Sequence, residues 1–309
     1  MPNLTIKSEI RKAFLANRYV IITPNRALRP KEIKEKTILS RTSACPFCFK
    51  NIDKKNIIDE ILDNNCRIAC IKNIFPAVSL ENDKAYGTQE VIIDNHNHNK
   101  ELADLPEKNI EALLRMYSRR TKALSANKNI EYILCFKNQG PKAGTSIVHA
   151  HSQIFATRIL PPDVKEELAM AQSYQKEKGH CPYCDEIKKE SKSKRKIFSD
   201  KHVVAFAPYA SEFHYEAWIF SKRHLDNITK LNDKELRSFA KALKLILKKL
   251  QKLDLSFNFF LHQIVSNKNQ HFYLKIQPRA SIWAGVELGS GLIINSVPPE
   301  SAAEYYRSA

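Results

Sequence analysis

The chain has 309 residues, and its 50 Lys and Arg residues against 33 Asp and Glu residues give a formal charge of +17. This length favours two domain-sized units that bury their own cores without disulfide bridges. No apolar run approaches the roughly 18 residues of a membrane span, and the N-terminus lacks a signal-like hydrophobic stretch, so we expect a cytoplasmic protein without a membrane partner.

The basic residues are spread over predicted helix faces and loops, and only residues 188–196 (KKESKSKRK) form a dense cluster. We therefore interpret the charge mainly as a solvated surface. A polyanionic small substrate would also suit it. The alternative is a zinc-stabilised nucleic-acid-binding protein, but the basic residues lack the interleaved aromatic residues of a base-stacking platform.

The sequence of the first half predicts several strands and one helix. Residues 18–30 form a short apolar strand that runs into a Pro- and Arg-rich loop, where Arg26 and Arg29 are candidates for binding phosphate. A CPFC motif follows on a loop at 45–48. Further strands are expected at 66–78, 89–94 and 132–136, and a helix with apolar residues at helical spacing begins at Pro106.

A glycine-punctuated loop follows the strand at 132–136. Gly140 and Gly144 bracket a turn whose backbone N–H groups could approach a phosphate closely. Ser146 offers a hydroxyl group beside this turn. The loop is therefore a candidate phosphate-binding element.

Two histidines come directly after this loop. In an extended chain, His149, His151 and Gln153 project from one face of a strand. A His-x-His pair alone also fits a pair of zinc ligands or two buried histidines. Its role therefore depends on the rest of the chain.

The second half of the chain repeats the order of the first. It opens with a CPYC motif at 181–184, and Asn232 and Glu235 are placed as the capping box of a helix with an apolar stripe. The strands expected in this half are at 202–208, 215–220, 257–265 and 271–277.

The register of the two halves also agrees. Glu90 stands eight residues before His98, and Glu216 stands eight residues before His224. We therefore predict that the chain is a duplicated unit.

Aligning the halves predicts two equivalent sets of metal ligands. The first set is Cys45, Cys48, His98 and His149, and the second is Cys181, Cys184, His224 and His271. Each has the Cys2His2 composition of a closed structural zinc site, and C-x2-C pairs in a chain without an export signal favour zinc over disulfides. His96 is a rival of His98 that only the repeat alignment disfavours. The alternative is that one or both sites hold no metal.

The duplication singles out His151, because Tyr273 occupies the corresponding place in the second half. Gln153 is likewise replaced, by Lys275. An imidazole that is free of metal and lies two residues beyond a zinc ligand is a candidate nucleophile.

As a set, these motifs resemble the galactose-1-phosphate uridylyltransferase family, the branch of the histidine-triad superfamily whose polypeptide carries two fused histidine-triad-like units. The resemblance covers almost the whole chain. It rests on R-x7-R-x2-RP from Arg18 to Pro30, CPFC, EVII with His98, N-x5-G-x-S-x2-H-x-H-x-Q from Asn138 to Gln153, CPYC, EAWI with KRH ending at His224, QPR at 277–279, and the segment from Gly285 to Arg307.

The resemblance implies a covalent mechanism centred on His151. This residue would attack the α-phosphorus of a nucleoside diphosphate sugar, form a nucleotidyl-histidine and release the sugar 1-phosphate, before a phosphorylated acceptor takes the nucleotide. Gln153 would hydrogen-bond the non-bridging oxygens, and Ser146 with the loop amides around Gly144 would hold the displaced phosphate. The positions that match nucleotide-binding residues of the family are Arg26, Arg29, Asn73 and Asn138.

The resemblance implies UDP-glucose and galactose 1-phosphate as the leading substrates, in galactose metabolism. An ADP-sugar or dinucleoside polyphosphate phosphorylase or adenylyltransferase is the second reading, because such relatives share the same histidine chemistry. Two departures from the family pattern stand out. Ala150 replaces the proline of the usual HPH triad, and Tyr273 breaks the HWH often present in the second half.

The predicted fold is α+β. Two tandem histidine-triad-like units, 1–170 and 171–309, each consist of an antiparallel sheet with packed helices and together form an intramolecular pseudo-dimer, with the boundary near residues 161–179. Tyr305 and Tyr306 are expected to pack on a short closing helix. The resemblance also suggests a homodimer.

Overall fold

The computed structural model describes residues 8–24, 45–63, 66–265, 267 and 269–308 of the chain. Within these ranges, thirteen strands and six helices build a mixed α+β fold, which confirms the predicted class. Arg26 and Arg29 lie outside the described residues, so their predicted contact with phosphate stays a prediction.

The strands of the first half are β1 (Glu9–Lys12), β2 (Tyr19–Ile22), β3 (Ile57–Asp63), β4 (Cys66–Lys72), β5 (Gly87–Ile93), β6 (Tyr132–Gln139) and β7 (His151–Thr157). Those of the second half are β8 (Lys196–Ser199), β9 (Val203–Phe206), β10 (Ala217–Ser221), β11 (Phe257–His262), β12 (Tyr273–Pro278) and β13 (Ile293–Asn295). The helices are α1 (Glu107–Leu124), α2 (Pro162–Lys178), α3 (Pro182–Glu190), α4 (Asp233–Lys252), α5 (Gly285–Ser290) and α6 (Pro299–Arg307).

Ten of the strands form one antiparallel sheet in the order β3-β4-β5-β7-β6-β11-β12-β10-β9-β8. The pair β6–β11 lies at its centre. Each half contributes five strands to this sheet. Numbered along the chain within each half, they run from the centre of the sheet to its edge in the order fourth, fifth, third, second, first, and this order is the same in both halves. β1, β2 and β13 form a separate small sheet, in which β13 runs parallel to β2.

Helices α1 and α4 cover one face of the large sheet. The apolar residues of α4 recur every three or four positions, which places them on one side of the helix, and Leu236, Phe239 and Leu243 are buried there. Burying each of these side chains stabilises the fold by about 1.5–3 kcal/mol. The predicted capping box is confirmed, since the side chains of Asn232 and Glu235 each accept a hydrogen bond from the other's backbone N–H, at 3.0 and 2.8 Å.

Alternation along the strands divides the large sheet into two faces. Ile133 and Cys135 on β6, and Ile154 on β7, pack into the core under the helices. Because successive side chains of a strand point to opposite faces, His151 and Gln153 lie on the other face. The candidate nucleophile is therefore on the side of the sheet that faces away from α1 and α4.

Several predicted boundaries were wrong. The strand expected at 66–78 ends at Lys72, where the Asn73 side chain accepts the Phe75 N–H and turns the chain. The strand expected at 257–265 ends at His262. Helix α2 lies within the segment 161–179 that was expected only as a boundary, and β8, which begins at the last residue of the basic cluster, was not predicted.

The C-terminal helix α6 is present as expected. Tyr306 is buried and donates a hydrogen bond to the Tyr215 carbonyl at 2.6 Å, and Tyr305 donates to the Lys249 carbonyl at 3.0 Å. These contacts confirm the expected packing role. None of the helices that the structure describes is long and apolar enough to cross a membrane.

Candidate active site and metal centres

The four predicted ligands of the first half converge on one point. One ligand atom each from Cys45, Cys48, His98 and His149 lies within 4.8 Å of every other. The Cys48 sulfur is 3.5 Å from Nδ1 of His98 and 3.7 Å from Nδ1 of His149. His96, the rival of His98, is not among the four residues that meet there.

The second cluster has the same composition, and both of its histidines also turn Nδ1 toward the cysteines. Cys181, Cys184, His224 and His271 bring their ligand atoms within 4.8 Å of one another. The Cys184 sulfur is 3.6 Å from Nδ1 of His224 and 3.7 Å from Nδ1 of His271. Cys181 and Cys184 flank the start of α3, so the first turn of a helix carries this cysteine pair.

Both clusters fit a tetrahedral zinc ion. Bonds of about 2.3 Å to sulfur and about 2.0 Å to nitrogen at tetrahedral angles separate the two ligand atoms by about 3.5 Å. The observed separations are 3.5–3.7 Å. Nε2 of His149 donates to the Asn95 carbonyl at 2.9 Å, and Nε2 of His271 donates to the Ser221 carbonyl at 2.8 Å. Each ring therefore turns its unprotonated Nδ1 toward the cluster.

His151 is held in a single tautomer. Its Nδ1 lies 2.9 Å from the carbonyl oxygen of His149, and since a carbonyl only accepts, Nδ1 must carry the proton. In the neutral ring, Nε2 then bears the lone pair. Burial, followed by the positive charge of Lys137, lowers the pKa of His151, and the ring of Phe47 packs at 4.8 Å between centroids. The geometry is that of a neutral nitrogen nucleophile.

A chain of amides fixes the orientation of Gln153. The Ala77 N–H donates to Oε1 of Gln89 at 3.1 Å, so the Gln89 amide must present its NH2 group to Oε1 of Gln153, also at 3.1 Å. The Gln153 NH2 group is therefore the end that can donate to another acceptor. Asn73 lies beside this pair, since its backbone N–H donates to the Gln89 carbonyl at 3.3 Å.

The glycine loop is fastened to the centre of the sheet. Gly140 and Gly144 both adopt positive φ, of 82° and 81°, as their predicted turn requires. The Asn258 side chain on β11 donates to Oδ1 of Asn138 at 2.7 Å and to the Ala143 carbonyl at 2.9 Å. A β-carbon at Gly140 would lie 2.3 Å from the Ser256 hydroxyl, so this position excludes larger residues. The loop conformation is thus fixed from both halves of the chain.

Ser146 lies between this loop and β7, and its side chain is exposed. An exposed hydroxyl group at this place is accessible to a ligand. Its predicted contact with a phosphate stays a prediction.

A buried ion pair contacts the backbone of β7, the strand that begins at His151. The ammonium group of Lys137 donates to Asp94 at 2.9 Å and to the His151 carbonyl at 3.1 Å, and Ser152 donates to the other oxygen of Asp94 at 2.6 Å. Lys137 and Asp94 are almost completely excluded from solvent. Their hydrogen bonds therefore fix the backbone that carries His151.

The sequence did not predict four residues of this site. Gln89, Phe47 and Lys137 each contact a predicted site residue from a neighbouring strand or from the loop that carries CPFC. Asp94 contacts Lys137 and Ser152. The one available signal was their position, since Gln89 and Asp94 lie on or beside β5, the neighbour of β7. Sequence spacing alone does not give such a neighbour relationship.

The chain is similar to two groups of curated enzymes along nearly its whole length. It is 28% identical to the galactose-1-phosphate uridylyltransferase of Thermotoga maritima over 97% of this chain and 98% of that protein. It is 32% identical to the ADP-glucose phosphorylase of Arabidopsis thaliana over 97% of this chain and 92% of that protein. This chain belongs to the galactose-1-phosphate uridylyltransferase family. It is accordingly a nucleotidyltransferase.

Solved structures agree with this membership. The crystal structure of an ADP-glucose phosphorylase from Arabidopsis thaliana with bound ADP-glucose matches 98% of this family member and 99% of that chain, with a TM-score of 0.85 and 30% identity. A uridylyltransferase structure matches 97% and 98%, with a TM-score of 0.76 and 25% identity. A family model described as the N-terminal domain of DUF4931, a domain of unknown function, matches residues 29–160.

Proposed function

We propose that this enzyme transfers a nucleotidyl group from a nucleotide sugar to a phosphorylated acceptor through a covalent intermediate on His151. The observation that carries the proposal is the hydrogen bond from Nδ1 of His151 to the His149 carbonyl, because it leaves the lone pair on Nε2.

In the first step, the Nε2 lone pair of His151 forms a bond to the α-phosphorus, and the bond from that phosphorus to the bridging oxygen breaks. The sugar 1-phosphate leaves with the electron pair. In the second step, an oxygen of the acceptor's phosphate attacks the same phosphorus, and the pair returns to Nε2. The proton on Nδ1 stays hydrogen-bonded to His149 throughout, so no net proton is taken up.

Three groups of the chain would stabilise the charge that develops at phosphorus. The Gln153 NH2 group, oriented by Gln89, would donate to a non-bridging oxygen. The Ser146 hydroxyl and the backbone of the turn at Gly144 would hold the displaced phosphate. Asn73, which follows the end of β4 and donates its backbone N–H to the Gln89 carbonyl, and Asn138 on β6 are proposed to contact the nucleotide.

Zn²⁺ is the proposed ion of both Cys2His2 clusters. When bound, it would supply rigid positioning rather than a reacting group, because all four ligand positions of each cluster are filled by the protein. His149 is at once a proposed ligand and the carbonyl partner of His151, so the first cluster would orient the nucleophile. The second cluster would stabilise the other half of the molecule.

The proposal extends to the organisation of the chain. The identical strand order on both sides of the β6–β11 pair supports two histidine-triad-like units, 1–170 and 171–309, arranged as an intramolecular pseudo-dimer. A cytoplasmic location and a homodimer stay predictions.

The leading substrates are UDP-glucose and galactose 1-phosphate. Family membership and the similarity of this chain to curated uridylyltransferases both favour this pair. A specific observation favours a second candidate. Identity and TM-score are both higher for the ADP-glucose phosphorylase, and its crystal structure holds ADP-glucose. Phosphorolysis of ADP-glucose, with phosphate as acceptor, is therefore the alternative within the same mechanism.

Product analysis distinguishes the two candidates. UDP-glucose and ADP-glucose are each incubated with enzyme and either galactose 1-phosphate or inorganic phosphate, and nucleotide products are separated chromatographically. The leading proposal expects UDP-galactose and glucose 1-phosphate from one of the four mixtures. Formation of ADP and glucose 1-phosphate from ADP-glucose and phosphate, without uridylyl transfer, would replace it with the second candidate. Turnover in none of them would contradict both.

A further inference from the structure

A cavity of about 750 Å³ lies over strands of the second half and is lined by residues of both halves of the chain. It opens on the same face of the large sheet as His151, over β11, β12 and β10, where Phe260, Tyr273 and Trp218 form part of its wall. None of the proposed catalytic residues lines it. Its volume is in the range of about 300–1,000 Å³ that is typical of small-molecule sites.

A buried polar group in the cavity wall has no partner. The Tyr183 side chain is only 2% exposed, and its hydroxyl oxygen makes no hydrogen bond to the residues that the structure describes. Leaving such a group unpaired destabilises the protein, so buried hydroxyl groups are nearly always hydrogen-bonded. A ligand with its own donors and acceptors would satisfy this one.

The charge of the wall excludes a strongly anionic ligand. Among the described lining residues, three Lys and two Arg side chains face one Asp and five Glu side chains. This near balance contrasts with the +17 of the whole chain. A site for a phosphorylated ligand would instead concentrate positive charge. The cavity therefore does not duplicate the chemistry proposed for His151.

A cationic ligand is also disfavoured, because cations of the chain already approach the aromatic faces. The Lys275 ammonium lies 5.0 Å from the ring centroid of Trp218 and 5.4 Å from that of Tyr273. The Arg279 guanidinium lies 4.9 Å from the ring centroid of Phe213. A further cation would be repelled by these groups.

The wall combines aromatic rings with buried carboxylates. Trp218 and Trp283 both line the cavity, as do Glu186 and Glu216, which are almost completely buried. Carboxylate oxygens accept hydrogen bonds from hydroxyl groups, and aromatic rings pack against the C–H faces of a sugar ring. Glu216 already accepts hydrogen bonds from Trp218 and from the backbone, but a purely apolar ligand would leave the Tyr183 hydroxyl group unpaired. The chemistry that matches all of these groups is a neutral polyol with an apolar face.

We infer that this cavity is a second ligand site, which binds a neutral, unphosphorylated carbohydrate. The inference does not depend on the proposed transfer reaction, because it rests on a separate set of residues.

Tryptophan fluorescence reports directly on this site. The chain contains two tryptophans, and both of them line the cavity, so selective excitation of tryptophan observes this site alone. We would titrate the full-length, zinc-loaded protein with maltose. The expected result is a saturable change in emission, with the same affinity in a His151→Gly variant. Glucose 1-phosphate at equal concentration should produce a smaller change.

A matched pair of variants tests the role of the unpaired hydroxyl group. Tyr183→Phe removes it and keeps the ring, and should weaken maltose binding about tenfold. Tyr305→Phe removes a hydroxyl group outside the cavity and should leave binding unchanged. No change in fluorescence and no heat in calorimetry with folded wild-type protein would overturn the inference. Unaltered binding in Tyr183→Phe, or loss of binding in His151→Gly, would also overturn it.

Discussion

The carbonyl oxygen of His149 accepts a hydrogen bond from Nδ1 of His151 at 2.9 Å. The ring of His149 meanwhile points Nδ1 at two cysteine sulfurs, both 3.7 Å away. One residue thus joins the first Cys2His2 cluster to His151, the proposed nucleophile. We therefore expect the orientation of His151 to depend on the integrity of this cluster. Among the described contacts, the second cluster has no such connection to His151.

This connection makes the two clusters unequal in their effect on activity. We predict two zinc ions per chain by elemental analysis, and one ion in each of the variants Cys48→Ser and Cys184→Ser. Cys48→Ser should lose nucleotidyl transfer, because the His149 backbone is no longer held. Cys184→Ser should lose thermal stability but keep much more activity. Equal loss of activity in two folded variants would contradict the positioning role of the first cluster.

Gln89 is predicted to act through Gln153. Replacing Gln89 with Leu removes the donor that fixes the Gln153 amide, and the misplaced NH2 group should lower kcat by about a hundredfold. KM for the nucleotide sugar should change much less, because the loss falls on the transition state. Thr88→Val, on the same strand, serves as the control. Wild-type kcat in Gln89→Leu would show that Gln153 does not need this support.

The buried pair Lys137–Asp94 is predicted to be sensitive to loss of one partner. Lys137→Met leaves the Asp94 carboxylate uncompensated in the core and should reduce the free energy of unfolding by about 3–5 kcal/mol. The double variant Lys137→Met with Asp94→Asn should recover part of this loss. Urea unfolding measures all three proteins. A cost below about 1 kcal/mol in the single variant would mean that the pair contributes little.

Glu167 gives a prediction about pH. Burial opposes its ionisation, but His262 and Lys275 outweigh burial and lower the pKa of Glu167 from 4.5 to about 2. A lowered pKa stabilises the folded protein above pH 4.5, and this contribution disappears as the pH falls toward 2. Glu167→Gln should therefore be less stable than wild type at pH 7, by roughly 2–3 kcal/mol. A difference that stays constant down to acid pH would contradict the ion-pair origin.

The sequence predicted those parts of the site that depend on local pattern or on repetition. The capping box of α4 follows from Asn232 and Glu235 alone, and the two ligand sets follow from aligning the halves. The His151 tautomer did not follow, because it depends on which backbone carbonyl lies beside the ring. The Gln89–Gln153 contact likewise depends on the pairing of β5 with β7.

Helix α2 was missed for a different reason. The segment 161–179 was expected only as the boundary between the two units, yet proline is well tolerated in the first turn of a helix, where its missing N–H is not needed. The cavity beside Tyr183 could not be predicted at all. Its wall combines residues from both halves of the chain, and only the folded sheet brings them together.

Intact-protein mass spectrometry tests most directly whether a covalent intermediate forms on His151. Purified enzyme is mixed separately with UDP-glucose and with ADP-glucose, and a His151→Gly variant serves as the control. We predict a mass increase of one nucleoside monophosphate with one of the two donors, and none in the variant. An adduct that persists in His151→Gly would move the nucleophile to another residue. Absence of any adduct in folded, zinc-loaded wild-type protein would contradict the double-displacement mechanism.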